Sequence, residues 1–151
     1  MRVILAADHR GLKLKEDLKM YLQAKGCVVE DVGAHALDPD DDYPDFAYAA
    51  ARLVAADADA RGIVLCGSSN GVTVVSNKVR GVRAVSVHTR EGAVQARSHV
   101  DANMIALAAD ELDEDTARAI TDVFLATPFS NEERHMRRVQ KIATIEEEHF
   151  K

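Results

Sequence analysis

Short unbroken apolar runs alternate along this chain with longer stretches whose apolar residues recur at three- and four-residue intervals. A strand covered by helices on both faces has no polar side to display, so this alternation predicts parallel βαβ units. Strands are expected near Val3–Ala7, Val28–Val32, Gly62–Leu65, Val82–Val87 and Met104–Ala108. Helices are expected over about Gly11–Lys25, Pro44–Ala56, Gly71–Val79, Glu91–Ser98, Glu114–Ala126 and Asn131–Glu148. Gly26 should stop the first helix and Pro44 open the second. Asn131 should cap the last, ahead of the acidic pair Glu132 and Glu133.

The predicted fold is α/β: a three-layer, Rossmann-like sandwich with a five-stranded parallel sheet and an extra C-terminal helix. Right-handed crossovers favour a flavodoxin-like order with strand 1 between strands 2 and 3. That order sets the carboxyl ends of strands 1 and 3, Asp8-His9 and Cys66-Gly67, side by side at the switch point where open α/β sheets bind ligands. Gly33–Asp42, rich in Asp and without period, reads as a surface loop and a candidate pocket wall.

A length of 151 residues fits one domain over 1–151, and 47% hydrophobic with 29% charged residues describes an ordinary globular core. The net charge of −6 argues against a nucleic-acid partner, which would need clustered Lys and Arg over a face. The one dense basic island, Arg134, His135, Arg137 and Arg138, suits a small anion; a solvated helix face competes with that reading. Cys27 and Cys66 lack metal-ligand spacing, and no leader pattern follows Met1, so a cytoplasmic protein with reduced thiols is expected. No apolar stretch approaches the roughly 20 residues that span a bilayer, which makes a membrane partner unexpected.

Cys66-Gly67-Ser68-Ser69-Asn70-Gly71 is a turn of small residues leading into a helix, where amides can converge on an anion; a tight turn kept small for steric reasons is the competing explanation. A thiol there is expected to have its pKa lowered by the helix dipole, and Cys66 could then abstract a proton. Asp8 could orient the His9 imidazole or bind a hydroxyl, unless it only caps the following helix. Isomerising an aldose to a ketose needs a base for the proton on carbon 2, donors for the enediolate oxygen, an acid–base group for ring opening and a phosphate anchor. Cys66, the Gly67 to Gly71 amides, His99, and Arg134 with Arg138 supply those four kinds of group.

Several blocks in order resemble the ribose-5-phosphate isomerase B and galactose-6-phosphate isomerase family: Ala7-Asp8-His9-Arg10-Gly11, Asp42-Tyr43-Pro44, Cys66-Gly67-Ser68-x-x-Gly71 and Ser76-Asn77-Lys78. His99-x-Asp101-Ala102-Asn103 and Arg134-His135-x-x-Arg138 complete the set. The resemblance implies a phosphorylated pentose as substrate, a place in pentose phosphate metabolism, no metal or organic cofactor, and a homodimer or homotetramer with shared active sites. It makes Cys66 the base of the cysteine-type branch; the other branch carries a glutamate where Val72 stands here. Ser68 becomes the hydroxyl assisting proton movement and His99 the ring opener. Asp8, Tyr43, Ser69, Asn70 and Asn103 join the substrate pocket, and His9, Arg134 and Arg138 approach the phosphate, the arginines from the partner subunit.

Three positions depart from the family pattern. Ser69 stands for a glycine, Val100 for an asparagine, and Asp110 for an arginine that often helps hold the phosphate. A carboxylate at 110 would repel phosphate unless another cation intervened. The pocket could therefore suit a tetrose phosphate, a hexose phosphate or a less anionic sugar. A non-catalytic flavodoxin-like sugar-phosphate-binding module is the alternative from another class.

Overall fold

The computed structural model describes residues 1–150. Five strands, β1 (Arg2–Ala7), β2 (Val28–Asp31), β3 (Arg61–Cys66), β4 (Ala84–Ser86) and β5 (Met104–Ala108), form one parallel sheet in the order β2-β1-β3-β5-β4. Six helices accompany them: α1 (Leu12–Ala24), α2 (Tyr43–Ala55), α3 (Asn70–Ser76), α4 (Arg90–Val100), α5 (Glu114–Ala126) and α6 (Glu133–His149). No helix among the described residues is long and apolar enough to cross a membrane.

Strand alternation divides the core into two layers. Val3, Leu5 and Ala7 of β1 face α1, α4 and α5, joining Leu14, Leu18, Leu22, Ala96, Ile120 and Phe124. Ile4 and Ala6 point the other way, toward Ala47, Ala50, Ala51 and Val54 of α2 and Val72 of α3. The buried leucines of α1, Leu14, Leu18 and Leu22, stand four apart and so share one stripe. Burying a leucine fully, as at Leu18 and Leu22, stabilises the fold by about 1.5–3 kcal/mol each. Gly26, at φ +83°, ends α1 as expected.

The expected placement of strand 1 between strands 2 and 3 holds, but the far side departs from the flavodoxin-like order: β5, not β4, lies against β3. Burial explains it. All five residues of β5 are buried, whereas β4 is a three-residue strand with two partly exposed positions, the profile of an edge. Three helix boundaries also move, and α3 ends at Ser76, three residues short of the expected Val79. The last helix begins at Glu133 with Glu132 at the cap position, because Asn131 takes a left-handed conformation at φ +55°. Helix α4 continues through Val100, which turns His99 from a loop residue into a member of its last turn.

Candidate active site

The cradle grows from the end of β3. Registers Ala7↔Leu65 and Cys66↔Ala108 bring the carboxyl ends of β1, β3 and β5 together. Gly11 lets α1 start against β3, since a Cβ there would stand 2.7 Å from the Leu65 carbonyl oxygen. After Cys66 the chain turns through Gly67 and Ser68, and Ser69 enters α3 at φ +66°. This bend aims amides back at the sulfur: the Ser69 N–H donates to Cys66 Sγ at 3.1 Å, and the amides of Val72 and Ser68 also favour the thiolate. Tyr43 closes the side; a Cβ on Gly71 would lie 2.5 Å from its Cζ. Asp8, His9, Tyr43 and Cys66 through Gly71 are thus brought together, with Ser68 and Asn70 exposed and Gly67 and Ser69 buried.

The expected fall in the Cys66 pKa is overturned. Burial pushes the thiol above its ordinary 9.0, the nearby Asp8 charge adds to the rise, and the Val72, Ser69 and Ser68 amides offset only part of it. Cys66 is 5% exposed, and desolvating a thiolate costs more than three amides return.

Asp8 holds the turn ahead of α1, its Oδ1 accepting from the Arg10 and Gly11 amides, each at 3.0 Å, while Gly11 occupies the helix cap position. The His9 imidazole is oriented instead by Asp41, whose Oδ1 stands 2.6 Å from Nδ1 and accepts the His9 amide at 3.1 Å. That bond raises the His9 pKa above its ordinary value against desolvation; the Asp41 and Asp8 charges reinforce it and Arg10 opposes it. Asp41 was hidden in the aperiodic Gly33–Asp42 loop, where its acidic character was visible but its target was not. Asp8, His9 and Asp41 hold donor atoms within 4.8 Å of one another, and the bonds just described already occupy Oδ1 of both carboxylates.

His99, Arg134, Arg138 and Asn103 are not brought to the cradle. His99 ends α4 beside the start of β4, where Arg83 Nε donates to the carbonyls of Val100 and Asp101 at 3.0 and 2.9 Å. That is the amino edge of the sheet, one strand length from Cys66, or about 15 Å. The His99 ring lies 4.5 Å from the ring of His135, which is buried and bonded to Ser130. Arg134 and Arg138 project from the same end of α6 into solvent, Arg134 paired with Glu132 at 2.9 Å. Asn103 leaves the expected pocket list: its Oδ1 accepts from the Arg83 amide at 2.8 Å and its Nδ2 donates to the Gly81 carbonyl at 2.8 Å, so both polar ends serve the backbone.

A protein-family model described as Ribose/Galactose Isomerase matches residues 3–142. The chain belongs to the ribose/galactose isomerase family. It is 42% identical over 149 residues to ribose-5-phosphate isomerase B of Mycolicibacterium paratuberculosis, covering 99% of this chain and 94% of that one. The Mycobacterium tuberculosis enzyme of the same name is 41% identical, covering 99% and 92%. Among solved structures, ribose-5-phosphate isomerase B from Mycoplasma genitalium, with bound ribulose-5-phosphate, superposes with a TM-score of 0.94 at 38% identity, covering 97% of each chain. The Clostridium thermocellum enzyme gives 0.93 at 37% identity, covering 98% of this chain and 99% of that one.

Within this family the three departures acquire physical form. Ser69 does adopt the left-handed backbone that glycine takes freely, and its hydroxyl is held 2.6 Å from Ser86 Oγ. Ser86 Oγ lies 3.0 Å from His88 Nε2, and His88 Nδ1 lies 2.9 Å from Glu111, a tether of the loop to β4 that the sequence did not announce. Val100 packs against the apolar core instead of offering a polar group. Asp110 follows β5 beside Gly67, its amide donating to the Gly67 carbonyl at 3.1 Å, and its carboxylate is bonded by Arg10. The intervening cation is therefore Arg10, whose guanidinium lies over Gly67 so closely that a Cβ there would displace it.

Proposed function

We propose that the protein is an aldose–ketose isomerase that interconverts ribose 5-phosphate and ribulose 5-phosphate through an enediolate, working in the cytoplasm without a cofactor. One observation carries the reading: the Cys66 sulfur sits within a ring of main-chain amides at the switch point of a chain that belongs to this family. The structural relative from Mycoplasma genitalium holds ribulose-5-phosphate.

Cys66 as thiolate takes the proton from carbon 2 of the open-chain aldose, and the electron pair of that bond forms the carbon 1–carbon 2 double bond of the enediolate. The Gly67 to Gly71 amides stabilise the oxyanion, and the proton returns to carbon 1 to give the ketose, with the Ser68 hydroxyl assisting transfer between the two oxygens. Ring opening needs His99, and phosphate anchoring needs Arg134 and Arg138. The opposite ends these occupy within one chain support a site completed by a second copy, as a homodimer or a tetramer of such pairs. Arg10 over Gly67 neutralises the Asp110 carboxylate, which removes the repulsion a phosphorylated substrate would otherwise meet there.

The test is incubation with aldose phosphates and free aldoses in deuterated water, following exchange at carbon 2. Exchange with ribose 5-phosphate is the expected result. Silence across every sugar would leave a binding protein; exchange with a tetrose or hexose phosphate alone would keep the chemistry and change the substrate.

A further inference from the structure

The contact between Asp41 and His9 is more constrained than a surface ion pair. One oxygen of Asp41 serves both the His9 amide and Nδ1. The carboxylate is only 8% exposed, and its other oxygen, Oδ2, is buried with no hydrogen-bond partner. A carboxylate held in that way favours a cation beside it, because an uncompensated buried charge is strongly destabilising. His9 is the cation within reach, since Arg10 is bonded to Asp110 and Lys15 to Asp31. The Nδ1 contact also fixes the ring, and protonation makes Nε2 a second donor. Nε2 has no partner among the described residues, and the imidazole is 26% exposed.

We propose that Asp41 is a positioning residue that holds His9 as an imidazolium, so that His9 Nε2–H supplies the positive charge that the cradle's own chain brings to the substrate's phosphate, Arg10 being already neutralised by Asp110. This rests on the sugar-phosphate reading and deepens it. Asp41 and Asp8 favour the charged ring and Arg10 opposes it. Because the His9 pKa is raised, the cation persists to a higher pH than an ordinary histidine and is lost only as pH climbs through that raised value. Phosphate affinity should weaken over the same interval. A phosphate monoester's own second ionisation, near pH 6, strengthens binding over a lower range, so wild type and variant are compared on one ligand.

The experiment uses the full chain and Asp41→Asn, which preserves side-chain size and an acceptor for the His9 amide while removing the charge. The His9 ring is titrated by NMR, and inorganic phosphate binding is measured at about pH 6 and about pH 8. Asp41→Asn is expected to titrate at lower pH and to bind phosphate about tenfold more weakly at about pH 8, with the gap narrowing toward about pH 6. With ribose 5-phosphate, KM should rise more than kcat falls. Equal titration midpoints in the two proteins, or a shifted midpoint without loss of phosphate affinity, would overturn the proposal. Should Asp41→Asn not fold, His9→Gln answers the same question: a pH dependence of phosphate affinity as steep as wild type would equally overturn it. A wild-type protein that isomerises no sugar phosphate, yet shows these titration and phosphate results, would sink the isomerase reading and leave the Asp41–His9 couple standing.

Discussion

Two opposing effects meet at the Cys66 sulfur. Amides of the loop favour the thiolate, while burial and the Asp8 charge favour the thiol, and burial is the largest. If the thiolate is the base, kcat should climb between about pH 7 and about pH 9, as the thiol begins to ionise. A flat profile would assign the proton transfer elsewhere. Replacing Cys66 by Ala should leave the fold intact and lower kcat by about 10²–10⁴-fold, the range for a lost general base; isomerisation at the wild-type rate would dismiss the sulfur from the mechanism. Ser69 carries a smaller conflict. Left-handed backbone costs a residue with a Cβ about 1–2 kcal/mol, whereas its hydroxyl contact with Ser86 contributes about 1 kcal/mol. Ser69→Gly should therefore be nearly neutral in chemical denaturation, and Ser69→Ala, which loses the contact and keeps the strain, should be less stable than Ser69→Gly by about 1–2 kcal/mol.

Between α1 and β2, an ion pair between the fully buried Lys15 and the partly buried Asp31 anchors the loop that carries Asp41. Lys15 is 0% exposed; its Nζ donates to both oxygens of Asp31 at 2.7 Å and to the Ala34 carbonyl at 2.7 Å. Burial alone would raise the Asp31 pKa, but bonds from Lys15, Lys19 and the Gly33 amide win and hold it at about 2. A depressed carboxyl stabilises the native state above its unfolded value of 3.8, and that contribution is lost as pH falls from about 4 through 2. The effect amounts to about 2 kcal/mol. Urea midpoints at about pH 5 and about pH 2.5 should differ accordingly in wild type and much less in Asp31→Asn; equal pH sensitivity in the two would refute the assignment. Removing the partner by Lys15→Met should cost about 3–5 kcal/mol, because it strands part of a buried charge.

At the scale of the molecule, the cradle and the His99–Arg134 cluster occupy opposite edges of one sheet. A single chain cannot close both around a small sugar, since a β-strand's length of about 15 Å separates them. Mixing two inactive variants tests the arrangement. A subunit with Cys66→Ala retains His99, and one with His99→Ala retains Cys66, so a hybrid dimer rebuilds one complete site. Random assortment in an equal mixture should restore about a quarter of wild-type turnover, from half the dimers each with one working site. No recovery, with subunit exchange verified, would mean that each chain supplies its own acid and base.

Periodicity and turn chemistry alone determined the elements, the parallel sheet, the neighbouring ends of β1 and β3, and the cradle residues, because apolar spacing, Gly26 and the small-residue turn act over a few positions. The family blocks carried the reaction class for the same reason: they are local runs of residues. Strand order beyond β3 was decided only in three dimensions, by which of two apolar strands could be buried on both sides. The same holds for Asp41 on His9, Arg10 on Asp110 and the rise of the Cys66 pKa. Each depends on residues far apart in the chain meeting in a region of low solvent access, and charge energies follow distance and burial, neither of which is written in the order of the residues.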